Sequence, residues 1–435
     1  MRGDALLSGL LAGGGMAPLQ SNLSGESMLT GLGASGTLEG EETVPNDVSS
    51  YVWTPTKNGS GNIKSGSWAN LPLNTWCRVS GSTFGQLESA LNTAGFPMTK
   101  DYGNGDLIGS VNAYSGGVLA NDAFYIPRTG GHADSSMNGI WRLDLEKMGG
   151  GTSWAIEAMP SDPDASGAVW SSNYRNLVGI TSFTTYTPAA GDVLDVLPDG
   201  KPTSAHIYNG CWYDSTRNTI NTSRMSKWSW DLTAKTWTRA RWTDAGAPFY
   251  TTINAELHYR AANDRVYGHF SFSDIDYYTW SYAPGGGVAI SGLSTPANYA
   301  PKGGMATARI GDTILALWGN SGERWGIFDM ASQSWTAGDV SSGKTYDYNS
   351  ELMVTCYVPE WGKVIRRGTA NGLTGQWWQF NVSSKANETY TPAGISVPHS
   401  PNPGNKCFYY PARKCVVYIT ATATNVDAVY VMRVG

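Results

Sequence analysis

The sequence predicts an all-β propeller of six four-stranded blades, closed by an N-terminal strand and preceded by an extended arm. Three observations predict it. The stretch Asp231–Thr238 (DLTAKTWT) is written again as Asp329–Thr336 (DMASQSWT). Each copy joins an alternating apolar strand to a second strand opened by a hydroxyl residue and a Trp, the form of a β-hairpin. The position of Asp231 recurs at Asp144, Ser281, Asp329, Asn381 and Arg433, with gaps of 87, 50, 48, 52 and 52 residues. A period near 50 residues belongs to propeller blades, and the first gap is one blade plus an insertion over about 160–203. Finally, charged residues are only 15% of the chain, against 53 Gly, 18 Trp, 23 Tyr and 10 Phe. That composition suits short twisted strands and tight turns rather than helices.

Residues 1–50 contain no aromatic residue, only one basic residue (Arg2), and 10 Gly, 9 Leu and 7 Ser. Such a segment cannot bury a core by itself, so it reads as a docking arm, with a disordered linker or a signal sequence as alternatives. Asp4 and the Gly13–Gly15 break fit a signal peptide poorly. The propeller then occupies 51–435. Within it, NTWCRV at 74–79 has the hydroxyl–Trp form of an outer strand but follows no inner strands, while VYVMRVG at 429–435 is a third strand with no fourth after it. Pairing these two fragments closes the ring and hides both sheet edges. A seventh blade inside 160–203 is the alternative count.

The inner hairpins repeat as well. Tyr213, Tyr259, Tyr357 and Tyr409 each precede an aliphatic residue by seven, at Ile220, Val266, Val364 and Val416. Two tighter hairpins turn at Asn121-Asp122 and Gly311-Asp312. These aromatic recurrences read mainly as packing between blades.

A formal net charge of −5, with no basic run, argues against nucleic acid as a partner. No apolar segment approaches the roughly 20 residues of a membrane span. The five cysteines have no zinc-like spacing; Cys407 and Cys415 flank a turn, where a disulfide or two buried thiols are both open. Asp274 and Asp276 lie in a turn-like SDID and read as a solvated loop. No catalytic constellation and no cofactor or metal site emerges. The insertion carries Trp170, Tyr174 and Arg175, side chains suited to stacking on sugar rings or anchoring an interface; pinning the loop to the propeller is the alternative for Trp170.

The segments PRTGGHADSSMNGIWRLDL (127–145) and LPDGKPTSAHIYNG (197–210) resemble the kelch-type, galactose-oxidase-like propellers of tailed-bacteriophage structural proteins. The matching positions include Gly130, Gly131, His132, Asp134, Asn138 and Gly139, then Pro198, Asp199, Gly200, Pro202, Ser204, His206 and Tyr208. The resemblance covers the first two blades well and the rest only through the repeat. It implies a non-enzymatic virion component, anchored through residues 1–50 to other virion proteins and displaying loops to a neighbour or to a host-surface glycan or receptor. His132, Asp134 and His206 join Trp170, Tyr174 and Arg175 as candidate binding residues. The alternative is a secreted carbohydrate-binding protein or copper oxidase, the latter needing two His and two Tyr, one of them cross-linked to Cys.

Overall fold

The computed structural model describes residues 51–97, 107, 111, 115–128, 137–162, 199–202, 204, 207, 209–224, 226–241, 256–271, 277–282, 291–293, 306–318, 324–342, 354–367, 376–398 and 405–435. These fall into five four-stranded antiparallel sheets and one composite sheet of six strands. In the first blade the strands are Val118–Ala120, Ala123–Pro127, Ile140–Asp144 and Trp154–Ala158. The second to fifth blades start from the inner strands Cys211–Asp214, Glu256–Arg260, Ala306–Ile310 and Val354–Val358. Each then runs outward in sequence order. Neighbouring inner strands pack side by side between the first and second, second and third, and fourth and fifth blades and between the fifth blade and the composite sheet, and Arg309 and Thr307 of the fourth blade meet Tyr259 and His258 of the third. The circuit closes where Gly117 N donates to Asn405 O at 3.2 Å and Phe124 stacks on Phe408 at 4.2 Å. The fold is a β-propeller.

The expectation of six four-stranded blades is corrected: five sheets have that form, and the remaining one is composite. Its C-terminal part is Cys407–Tyr410, Cys415–Ile419 and Val429–Arg433. On the last of these lies Thr75–Val79, antiparallel, with Trp76, Cys77 and Arg78 opposite Met432, Val431 and Tyr430. Two short parallel additions, Val52–Trp53 and Ala393–Gly394, extend the sheet further, and nothing in the repeat pattern announced them. A seventh blade within 160–203 falls almost wholly outside the described residues.

Local chemistry explains the period. Asp231 Oδ1 accepts from Thr233 N and Ala234 N at 2.7 and 2.8 Å. Asp329 accepts from Ala331 N and Ser332 N, and Asn381 from Ser383 N and Ser384 N. These Asx turns end the third strand of a blade, and each is followed by a left-handed residue, Lys235, Gln333 or Lys385. The backbone N–H groups of Ala234 and Thr233 hold the Asp231 carboxyl below its usual range. At Asp231 and Asp329 the repeated aspartate is therefore a turn-former.

The closing strand sits in a large core. Trp76 is fully buried and stacks on Trp377 with centroids 5.5 Å apart. Two short helices flank it, Ser65–Ala69 and Gly85–Thr93. The second buries Leu87 and Leu91, and Phe84 beside it meets Trp154 of the first blade at 5.0 Å. None of the described helices is long and apolar enough to cross a membrane.

Candidate functional site

The six inner strands surround a cavity of about 860 Å³. At one register its wall carries Leu119, Tyr213, Tyr259, Arg309, Tyr357 and Tyr409, which lie opposite Phe124, Ile220, Val266, Ile314, Val364 and Val416. The four tyrosines that repeat in the sequence thus form most of one ring around the cavity.

The hydroxyls of Tyr213, Tyr259 and Tyr409 point into the turns between first and second strands. Tyr213 donates to Asn218 Oδ1 at 3.0 Å within its own blade. Tyr259 reaches back to Thr216 Oγ1 of the second blade at 2.6 Å and donates to Asp264 Oδ1 at 2.8 Å. Tyr409 donates to Glu360 Oε1 of the fifth blade at 2.7 Å. Burial raises the Tyr409 hydroxyl well above its ordinary range, and the Glu360 carboxylate adds to the shift. Such a phenol stays protonated at neutral pH and acts as a donor rather than a base. Arg309 occupies the same register in the fourth blade and donates from Nη1 to Tyr259 O at 2.6 Å.

Charged clasps join the same turns. Arg217 grips Asp264 of the third blade with both Nη atoms, at 2.7 and 2.5 Å, while Nη1 also meets the buried Asp214 at 2.8 Å. Arg260 meets Asp312 of the fourth blade at 2.9 Å. Arg413 binds Glu146 of the first blade through Nε and Nη2, at 3.0 and 2.7 Å, and Tyr410 donates to both Glu146 and Asp122. Burial pushes the Glu146 carboxyl upward, but the hydrogen bonds from Arg413 and Tyr410 outweigh it and the net shift is down.

A polar band marks the other end of the inner strands. Asn405 N donates to Asn209 Oδ1 at 2.7 Å, and Asn405 Nδ2 donates to Thr355 O at 3.1 Å. Thr355 Oγ1 donates to Thr307 O at 2.5 Å, and Thr307 Oγ1 lies 3.5 Å from His258 Nε2. Just behind this band Lys406 is fully buried; burial pushes its ammonium down to about 7, and Nζ donates to Ser115 O at 2.5 Å. Cys211, Cys356 and Cys407 also line the cavity. The cavity therefore offers aromatic and apolar walls with a hydrogen-bonding band at one end, a setting for a small neutral ligand.

The residues singled out from sequence fare differently. His132, Asp134, Trp170, Tyr174, Arg175 and His206 all lie outside the described residues, so the structure neither gathers nor separates them. The described parts of the two motifs are structural. Asn138 Nδ2 donates to Pro202 O at 2.6 Å and to Ser161 Oγ at 3.0 Å, and Asn138 Oδ1 accepts from Ser161 N at 2.8 Å. That asparagine stitches the PDG segment to the first blade. A Cβ on Gly139 would stand 2.7 Å from the Trp141 ring and 3.0 Å from Ala158 O, so only glycine fits there. Arg128, just before the GGH loop, went unremarked in the sequence: it is fully buried, has a left-handed backbone (φ 49°) and reaches Thr222 Oγ1 in the second blade at 3.3 Å. Lys406, Cys211 and Cys356 carry no signal in the sequence, because nothing in their spacing distinguishes them from core residues. The Cys407–Cys415 disulfide is not formed. Both thiols are free, and Cys407 stands opposite Tyr418 while Cys415 stands opposite Tyr410. Among the described residues no three of His, Cys, Asp or Glu are grouped to hold a metal ion.

No protein-family profile matches the chain, and no curated protein matches it. Among solved structures, YjhT is similar over 73% of this chain and 93% of its own, with 9% identity and a TM-score of 0.42. A GH43 glycoside hydrolase, engineered to display both endo-xylanase and exo-arabinofuranosidase activity, is similar over 73% of this chain with 12% identity and a TM-score of 0.34. This chain covers 48% of that hydrolase. At these identities and scores neither relation bears on what the chain does.

Proposed function

We propose that the chain is a non-enzymatic display protein of a tailed-phage virion, in which residues 1–50 dock to other virion proteins and a rigid propeller presents its loops to a neighbouring protein or a host-surface receptor. The observation that carries the display reading is the use made of the polar groups around the cavity. Tyr213, Tyr259 and Tyr409 spend their hydroxyls on turns, two of them with reach into the preceding blade, and Arg217, Arg260 and Arg413 bind carboxylates of the next blade round. Groups engaged this way hold a ring rigid and are not poised for proton transfer. The virion assignment rests on the motif resemblance and on the aromatic-free composition of residues 1–50.

The test is incorporation. Wild-type protein and a version lacking residues 2–50 are expressed during phage production, and purified particles are probed for each. The reading expects both to fold and only the wild type to enter particles. Equal incorporation of the two, or absence of the wild type from particles, refutes it.

The aromatic cavity favours a second reading, a secreted carbohydrate-binding or galactose-oxidase-like protein. A glycan array with wild type and Trp170→Ala separates these: binding lost in the variant supports sugar recognition, whereas no signal in either removes it. Stoichiometric copper in purified protein, or oxidase turnover on galactosides, would overturn the display reading.

A further inference from the structure

The seam between the fifth blade and the composite sheet brings two cysteines into one buried cluster. Cys356 lies on Val354–Val358 and Cys407 on Cys407–Tyr410, the neighbouring inner strand. Both residues are 4% exposed, and both line the central cavity. The strands are pinned in register beside them: Asn405 accepts from Thr355 N at 3.4 Å and from Cys407 N at 3.2 Å through Oδ1. The backbone is thus fixed on both sides of the pair, on adjacent strands whose buried side chains share one cluster.

We propose that Cys356 and Cys407 are a reversible inter-blade cross-linking site, which takes a low-molecular-weight disulfide as its oxidant and covalently locks this seam of the ring. One thiolate of the pair attacks the small disulfide, forming a mixed disulfide and releasing one small thiol. The second cysteine then attacks the protein sulfur, forming the Cys356–Cys407 bond and releasing the other small thiol. The pair loses two electrons and two protons, and one small disulfide is reduced to two thiols. Both residues line the cavity, which is the route by which a small reagent would reach them, whereas Cys77 and Cys415 do not line it. Burial raises the Cys407 thiol well above its ordinary range, with Cys356 adding to it. The reaction is accordingly slow at neutral pH and faster in alkali. The cross-link would tie residues 51 positions apart in sequence and so constrain the unfolded chain.

The test uses the intact protein and cystamine. After incubation at pH 8.5, the protein is unfolded, alkylated and digested, and its disulfides are mapped by mass spectrometry. The expected result is loss of two of the five thiols, a linked pair of peptides containing Cys356 and Cys407, a raised unfolding midpoint, and reversal of all three by dithiothreitol. C356S and C407S should each abolish the linked peptides, and C211S should keep them. Because the mapping is made on the wild type, a variant that fails to fold leaves the result intact. Retention of all five thiols, a stable mixed disulfide as end product, or a link from Cys211 to either cysteine overturns the proposal.

Discussion

Replacing Trp76 by alanine tests how much the closing strand contributes. Trp76 is fully buried, stacks on Trp377 and belongs to the cluster that includes Tyr418, Met432 and Val434. A buried Trp covers on the order of 200 Å², which at about 25 cal/mol per Å² corresponds to about 5 kcal/mol. Two effects work against that figure. Among the described residues the Trp76 indole N–H has no acceptor, so truncation relieves a desolvation cost of about 1–3 kcal/mol. Partial collapse of the site recovers some packing. The expected loss for W76A is thus about 3 kcal/mol, and W76F, which drops the N–H and keeps a ring against Trp377, should lose about 1 kcal/mol. Urea unfolding followed by near-UV circular dichroism measures both. A loss below about 1 kcal/mol for W76A, or equal losses for the two variants, would refute the reasoning that this ring carries the closure.

Other expectations follow from the same contacts. Gly394 has φ +95° and lies against Trp76, so a Cβ there would fall on the Trp76 carbonyl oxygen; G394A should cost more than about 2 kcal/mol by chemical denaturation, far more than an exposed glycine such as Gly59. R217A leaves the buried Asp214 carboxylate without its guanidinium and removes the ion pair to Asp264, which keeps its hydrogen bond from Tyr259. Because Arg217 and Asp264 are partly exposed, the expected loss is about 2 kcal/mol, less than for a fully buried pair, and D264N should lose less again. The Glu146 carboxyl is held below its usual range in the folded protein. Its contribution is therefore complete above the unfolded carboxylate value of about 4.3 and is lost as pH falls through the lower folded value. Denaturation midpoints between pH 7 and pH 3 should drop more steeply for wild type than for E146Q, and parallel curves would count against the Arg413 clasp.

The fold was largely legible because its signals are periodic and local. Asp231, Asp329 and Asn381 end strands by a turn that their own side chains build, so the period could be counted without any long-range contact. The half-blades at Thr75–Val79 and Val429–Arg433 were legible for the same reason, as each lacked a partner that the repeat demands. Val52–Trp53, Ala393–Gly394 and the helix Gly85–Thr93 were not, since they are single additions to one sheet. For the site, sequence captured the tyrosine repeat but not its place. Whether Tyr259 faces a neighbour's turn or a solvent channel depends on how inner strands converge, and that is set by residues a whole blade apart, such as Thr216, 43 positions away. The Cys356–Cys407 contact and the burial of Lys406 have the same origin: each depends on two or more blades meeting, a relation no short window of sequence contains.

Amide hydrogen exchange of the intact protein tests the central structural claim, closure of the ring by Thr75–Val79, most directly. If Trp76, Cys77 and Arg78 pair with Met432, Val431 and Tyr430 as described, the two strands should be strongly protected and should open together as one unit when denaturant is added. Rapid exchange across 75–79 while 429–433 remains protected would contradict the closure.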